Sequence, residues 1–257
     1  MDHVVGRGDR REDMLLEDAY KQDLAYIHDV GFGSFAERAA SGVLTLLRRG
    51  GIAGGLVIDL GCGSGLWARR LVKAGYGVLG IDSSPHMIAI ARRRVPEGTF
   101  RVASFLDDGG FPPCAAITSL GECFNYLFDN RNGRSSLRRL FRQAYRALQP
   151  GGLLVFDVAE PGRARRWDRR FWMGDDWACL VEFDHTPRRN LLTRRITTFR
   201  RVGRHYRRAE ETHVQRLYRG LELAGDLREV GFRVRIVRGY GGFRFVKAQV
   251  GLIARRA

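Results

Sequence analysis

Lysine is almost absent from this chain: of 44 basic residues only Lys21, Lys73 and Lys247 are lysines, and the rest are arginines. Such a skew is what a GC-rich genome imposes on its proteins, so the net charge of +16 is not in itself a nucleic-acid footprint. Cysteine is sparse too. Cys62, Cys114, Cys123 and Cys179 show no CxxC or other metal-ligand spacing, and read as free thiols of a reducing cytoplasm. His3, His86, His185 and His205 share no spacing, so no metal site is expected. No apolar run reaches the roughly 18 residues that span a bilayer. The first residues, MDHVVGRGDRREDM, lack the apolar stretch of a secretory signal. Repeats, low-complexity tracts and flexible linkers are also missing.

What is present suits one large α/β domain with a modest insertion: 257 residues, 44% hydrophobic and 28% charged. The charge is lopsided. Residues 1–160 carry 20 basic and 18 acidic side chains, whereas 161–257 carry 24 and 10. A basic half of this kind points to RNA, DNA or an acidic substrate as alternatives to genome composition.

The patterning alternates strand and helix. Residues 14–49 read as two helices broken at Gly31-Phe-Gly33, with Ser34 as cap of the second and Gly50-Gly51 as its end. Buried strands are expected at 55–60, 77–82, 99–105, 114–120 and 153–157, with helices between them and a long one over 132–148. Apolar rather than alternating strands argue for a parallel sheet covered on both faces. After Pro161 the pattern changes. Stretches near 177–185, 190–201 and 204–218 alternate polar and apolar, as an antiparallel unit with one wet face does. A helix near 219–230 and strands near 232–239 and 245–255 follow. The expected organisation is therefore a helical cover over 1–50, a core over 51–160, an antiparallel lid insertion over 161–218, and the end of the core sheet over 219–257.

The strongest motif is Val57-Ile-Asp-Leu-Gly-Cys-Gly-Ser-Gly65. Gly61, Gly63 and Gly65 allow a sharp turn and close backbone approach to a ligand, and the following helix offers free N–H groups. The spacing is GxGxG, neither the dinucleotide fingerprint nor a Walker loop. Asp82 ends the next strand, where a carboxylate can accept both hydroxyl hydrogens of a ribose. Asp59-Leu-Gly-Cys-Gly-Ser-Gly65, Gly80-Ile-Asp-Ser-Ser-Pro85 with Met87, and Leu148-Gln-Pro-Gly-Gly-Leu-Leu-Val-Phe156 resemble class I S-adenosylmethionine-dependent methyltransferases. The resemblance implies a Rossmann-like, doubly wound seven-stranded sheet, its last strand antiparallel, with the small antiparallel insertion between core strands 5 and 6. It implies S-adenosylmethionine as the cofactor and no metal. Gly61, Cys62, Gly63 and Gly65 would line the methionine and ribose, Asp82 would hold the ribose hydroxyls, Ser83 and Met87 would flank the adenine, and Asp59 and Leu120 belong to the same expected cofactor site. An acid commonly follows the third strand in this family. Here Ser104 and Phe105 stand in its place, as acceptor and ring for the adenine.

Methyl transfer from a sulfonium mainly requires alignment, plus removal of a proton where the nucleophile carries one. The fourth strand ends in Ser119-Leu-Gly-Glu-Cys-Phe-Asn-Tyr126, without the Asn/Asp-Pro-Pro-aromatic motif of adenine amino-methylation and without the paired Glu of protein-arginine methylation. Pro113-Cys114 opens that strand instead of ending it, and Asp107-Asp108 lies in a Gly-rich loop. Glu122 and His213 are the expected catalytic groups. Asn125, Tyr126 and Glu211 are expected on the substrate side, with Tyr26 closing from the N-terminal cover beside Phe32. Glu211, His213 and Gln215 would share one strand face. The region Glu211-Thr-His-Val-Gln-Arg-Leu-Tyr218 is similar to glycine-type and amino-sugar methyltransferases, in which the extra strands form a lid or subunit contact. The expected protein is a cytoplasmic monomer or homodimer that methylates N or O of a small molecule. One alternative is an RNA or protein methyltransferase using the Arg-rich half, with Trp167, Phe171 and Trp172 as stacking surfaces. Another is a non-catalytic donor-binding subunit. Asp82→Ala should abolish most donor affinity in calorimetry while the protein stays folded; unchanged affinity would refute the role of Asp82.

Overall fold

The computed structural model describes residues 20–164 and 167–257. Residues 14–19, where the first helix was expected to begin, and His3 lie outside them. Helix α1 (Gln22–Gly31) and helix α2 (Ser34–Arg49) are separated at Phe32-Gly33. The cap of α2 is Gly33 and not Ser34, which is the first helical residue and makes no side-chain cap. The core then runs β1 (Leu56–Leu60), α3 (Leu66–Lys73), β2 (Gly77–Asp82), α4 (Pro85–Arg94), β3 (Thr99–Val102), β4 (Cys114–Ser119), α5 (Arg134–Ala147) and β5 (Leu148–Ala159). The insertion is β6 (Asp168–Met173), β7 (Trp177–Thr186), β8 (Leu191–Val202) and β9 (His205–Arg216). The chain closes with α6 (Gly220–Val230), β10 (Phe232–Val237), a small hairpin of β11 (Gly239–Tyr240) and β12 (Phe243–Arg244), and β13 (Gln249–Arg256).

The main sheet has the order β10-β13-β5-β4-β1-β2-β3. Strands β1 to β5 pair in parallel, and β13, the last strand, is antiparallel to both β5 and β10. Alternate residues feed opposite faces. Ile58, Leu60, Ile117, Leu154 and Phe156 pack on α5 and α6 through Phe141, Leu223 and Leu227. Val57, Val78, Ala116, Leu153 and Val155 pack on α2, α3 and α4 through Val43, Trp67 and Ile88. Continuous apolar strands are thus explained by helices on both sides.

The insertion is a separate antiparallel sheet of four strands in chain order. The sequence pattern showed three of them. The fourth, β6, is an edge strand of mixed charge and apolar residues, with Phe171 and Met173 largely exposed. The inner face, through Trp177, Cys179, Val181, Phe183, Leu192 and Ile196, packs on Leu24 and Ile27 of α1. Asn125 fixes this sheet to the core: its Oδ1 accepts the Ala159 N–H, and its Nδ2 donates to the carbonyls of Ala159 and Arg216. Among the described residues no helix is long and apolar enough to cross a membrane.

Two glycines should respond oppositely to alanine. A Cβ on Gly42 in α2 would lie 2.2 Å from the Tyr240 carbonyl oxygen, so Gly42→Ala should cost about 1–3 kcal/mol. Gly225 in α6 has nothing within 4 Å of a Cβ, so Gly225→Ala should stabilise by about 0.5–1 kcal/mol. Denaturant unfolding of both variants checks the pair.

Candidate active site

Strands β1, β2 and β4 end on one edge of the sheet, where the chain order reverses between β1 and β4. Gly61, Gly63 and Gly65 all adopt positive φ, at 71°, 52° and 77°. At Gly63 the space is open, so a side chain there would enter the cleft beside it. Gly61 is crowded instead, with Cys123 Sγ 2.7 Å from where a Cβ would stand. Asp82 holds this loop. Its Oδ2 accepts the Gly63 N–H at 2.9 Å and its Oδ1 accepts the Ser84 N–H at 2.9 Å. Burial pushes Asp82 above the usual carboxylate range, against those two N–H groups. Its remaining lone pairs are available for hydroxyl donors. Ser84 Oγ accepts the Met87 N–H as the cap of α4 and donates to the Tyr20 carbonyl.

A cavity of ≈ 470 Å³ lies over this edge. Ten of the eleven expected cofactor residues line it: Asp59, Gly61, Cys62, Gly63, Asp82, Ser83, Met87, Ser104, Phe105 and Leu120. Gly65 is not on the wall. It begins α3 and sits against Ala91 of α4. Ser104 Oγ donates to Asp129 Oδ2 at 2.6 Å and accepts the Leu106 N–H, so its acceptor capacity is shared. Asp129, from the loop after β4, also lines the cavity and places a carboxylate beside Ser104. Asp59 is buried under Thr118 Oγ1 at 2.9 Å, and burial pushes its carboxyl up to about 7. Burial also raises the Cys62 and Cys123 thiols well above their ordinary value, which keeps both protonated and unreactive.

A putative methyltransferase of Geobacillus sp. (strain WCH70) is 30% identical to this chain over 191 residues, spanning 69% of this chain and 74% of that protein. The chain belongs to the class I S-adenosylmethionine-dependent methyltransferases. A family model described as a methyltransferase domain matches residues 57–152 of this methyltransferase. A dTDP-3-amino-3,6-dideoxy-alpha-D-glucopyranose N,N-dimethyltransferase of Streptomyces fradiae is 26% identical over 141 residues, covering 54% of each chain. In fold the methyltransferase is similar to the sugar N-methyltransferase of a Streptoalloteichus species, with TM-score 0.74, 18% identity and full coverage of both chains. S-adenosylmethionine, the cofactor of the family, supplies a methyl group on a sulfonium. The open space at Gly63, the Asp82 carboxylate and the Ser104–Asp129 pair fit its ribose and adenine by their chemistry.

The expected acceptor-side residues divide. Glu122 and Tyr126 line the cavity. Glu122 stands in the left-handed region at φ 63°, held there by Asp157, whose carboxylate accepts the N–H groups of Gly121 and Glu122. Its own carboxylate is engaged by Arg163 Nε at 2.6 Å and Arg194 Nη2 at 3.3 Å. With both oxygens taken by guanidinium groups, it is an anchor for arginines and not a free base. Asn125, Glu211, His213 and Tyr26 are not on the wall. Asn125 serves the weld between core and insertion. His213 Nε2 pairs with Glu211 Oε2 at 2.9 Å, and Glu211 accepts the N–H groups of Tyr20 and Lys21. Tyr26 points away, donating to Asp176 Oδ2 under the guanidinium of Arg200.

The aromatic residue that covers the cavity is therefore Tyr20, whose backbone Glu211 and Ser84 hold from two sides. His28, Phe128, Arg163, Arg194 and Gln249 are further wall residues that the sequence reading did not single out. Only His28 carried a local signal, one turn before the Gly31–Gly33 break. Its Nδ1 has no hydrogen-bond partner among the described residues, and burial lowers its pKa from 6.5 to about 4. In the unfolded chain it takes up a proton first, so its contribution to stability is full above pH 6.5 and is lost as pH falls toward 4, at up to about 1.4 kcal/mol per pH unit. Asp59 and Asp157, raised to about 7, act in the opposite sense between that pH and 3.8. The stability difference between wild type and His28→Asn isolates the histidine. It should shift in favour of the variant as pH falls through this window; a constant difference would refute the neutral, buried ring.

Proposed function

We propose that this methyltransferase transfers a methyl group to the nitrogen or oxygen of a small molecule. The observation that carries this reading is the roof. Helix α1 and its flanks bring Tyr20, His28 and Phe32 to the cavity wall, β8 of the four-stranded sheet brings Arg194, and the core loop after β4 brings Tyr126 and Phe128. A volume of ≈ 470 Å³ is in the range of small-molecule sites. Relatives whose names give amino-sugar and glycine acceptors support the same class.

Asp82 would hold the donor ribose, and Ser104 with Asp129 the adenine edge. Met87 and Phe105 would supply apolar contacts to the ring. Glu122 and His213 then act by placement. Glu122 orients Arg163 and Arg194, and His213 steadies the Glu211 carboxylate that holds the Tyr20 backbone. His28, with a pKa of about 4, is a weak proton acceptor and serves as a hydrogen-bond partner. Catalysis in such a site rests on alignment of acceptor and sulfonium in a water-poor space.

The exposed rings of Trp167, just before β6, and of Phe171 within the arginine-rich sheet favour RNA as a second reading. Trp172 does not add to it, because its ring packs edge-on against Phe32 at 5.2 Å. Incubating the protein with methyl-labelled donor and a cell extract separates the two. Label is expected in the small-metabolite fraction. Label retained on RNA or protein would overturn the small-molecule reading.

A further inference from the structure

The cavity wall is electrically divided. Asp59, Asp82 and Asp129 line its donor end, and four arginines, Arg38, Arg163, Arg194 and Arg244, line the rest, with Glu122 as the one carboxylate among them in the described residues. Arg38 and Arg244 are exposed at the rim and have no ion-pair partner among the described residues; Arg38 lies over the Phe243 ring at 4.8 Å. Arg163 and Arg194 are deeper, with side chains 23% and 20% exposed. They come from different elements, the loop after β5 and strand β8, and converge on one carboxylate.

S-adenosylmethionine does not cancel this excess. It brings one carboxylate, but also an ammonium group and the sulfonium cation. Two guanidinium groups facing one carboxylate in a partly desolvated pocket leave N–H donors and a positive charge uncompensated. Arg194 Nε has no hydrogen-bond partner among the described residues, and its other nitrogens divide between Tyr126 Oη at 2.9 Å and Glu122 Oε2 at 3.3 Å. The longer of those contacts is a weak one. The left-handed turn that thrusts Glu122 into the cavity costs backbone energy, which the Asp157 hydrogen bonds offset. Such a placement suits a counter-ion that keeps two arginines poised.

Resting on the small-molecule reading above, we propose that Arg163 and Arg194 form an anion subsite that recognises an acidic group, carboxylate or phosphate, on the methyl acceptor. Glu122 is the internal competitor that orders both guanidinium groups before the acceptor arrives. An incoming oxyanion takes the free N–H donors and the position of the weak Arg194–Glu122 contact. An acceptor amine carried on the same molecule is thereby brought to the sulfonium with its charge balanced elsewhere.

The test uses the full chain saturated with S-adenosylhomocysteine, titrated calorimetrically with inorganic phosphate and, separately, with acetate, against chloride at equal ionic strength. One of the two anions should bind wild type above the chloride background, and which one does so tells phosphate from carboxylate acceptors. Arg163→Gln and Arg194→Gln should each weaken that binding about tenfold or more, with S-adenosylhomocysteine affinity unchanged. Glu122→Gln, which removes the competitor but keeps the shape, should tighten it, a response that a merely structural ion pair does not give. Binding no better than chloride, or unchanged by all three substitutions, would overturn the subsite. In the labelled-extract experiment, a labelled small metabolite without any acidic group would also overturn it and leave the small-molecule reading standing. Label on RNA or protein would remove both.

Discussion

Three carboxylates organise the cavity by the same device: each accepts two backbone N–H groups at a bend that borders or covers it. Asp82 takes Gly63 and Ser84, Asp157 takes Gly121 and Glu122, and Glu211 takes Tyr20 and Lys21. Turns at the end of a parallel sheet leave their amides without strand partners, and a buried amide left unpaired costs more than a hydrogen bond contributes. A carboxylate satisfies two at once and fixes a conformation that a β- or α-bonded backbone would not adopt. Gly63, Gly121, Glu122 and Tyr20 all have positive φ. The glycine loop, the Glu122 turn and the Tyr20 cover are thus three versions of one solution. Each depends on a charge placed by a different strand.

The arrangement also ties the two sheets together. Glu211 belongs to β9 of the insertion and Asp82 to β2 of the core, and the Tyr20 backbone bridges them through Ser84. The roof is therefore hydrogen-bonded to the same cap that begins α4 beside the donor. Removing any one carboxylate would free a pair of amides and loosen the neighbouring wall, so loss of donor affinity in Asp82→Ala would report the ribose contact together with the loop that Asp82 holds. The arginines Arg163 and Arg194 reach the cavity only by their side chains.

Local chemistry was readable in the chain, and tertiary convergence was not. Asp59, the three glycines, Asp82 and the Ser84-Pro85 cap are close in sequence and each demands a particular backbone, so this side of the cavity wall and the parallel sheet could be inferred, most boundaries within a few residues. The antiparallel last strand followed from the family resemblance. Strand β6 escaped notice because an edge strand needs no apolar alternation. Glu211 and His213 were correctly placed on one inner face, but the register Arg194↔His213 puts a neighbouring strand's arginine beside them, and Tyr20 lies between His213 and the cavity. Tyr26 was the tyrosine expected to close from the cover, within a first helix expected to begin at residue 14, whereas α1 begins at Gln22. The residue that covers the site is the one just before the helix, at φ 49°, where no periodicity applies.

The weld made by Asn125 has an evolutionary corollary. Its amide touches Ala159, where the chain leaves the core sheet, and Arg216, where the chain returns. Both ends of the four-stranded unit are therefore gathered at one point, the geometry in which an inserted module is exchanged or reshaped with little cost to its host. The inserted sheet can then vary in length and composition while the seven-stranded sheet beneath keeps its hydrogen-bond register.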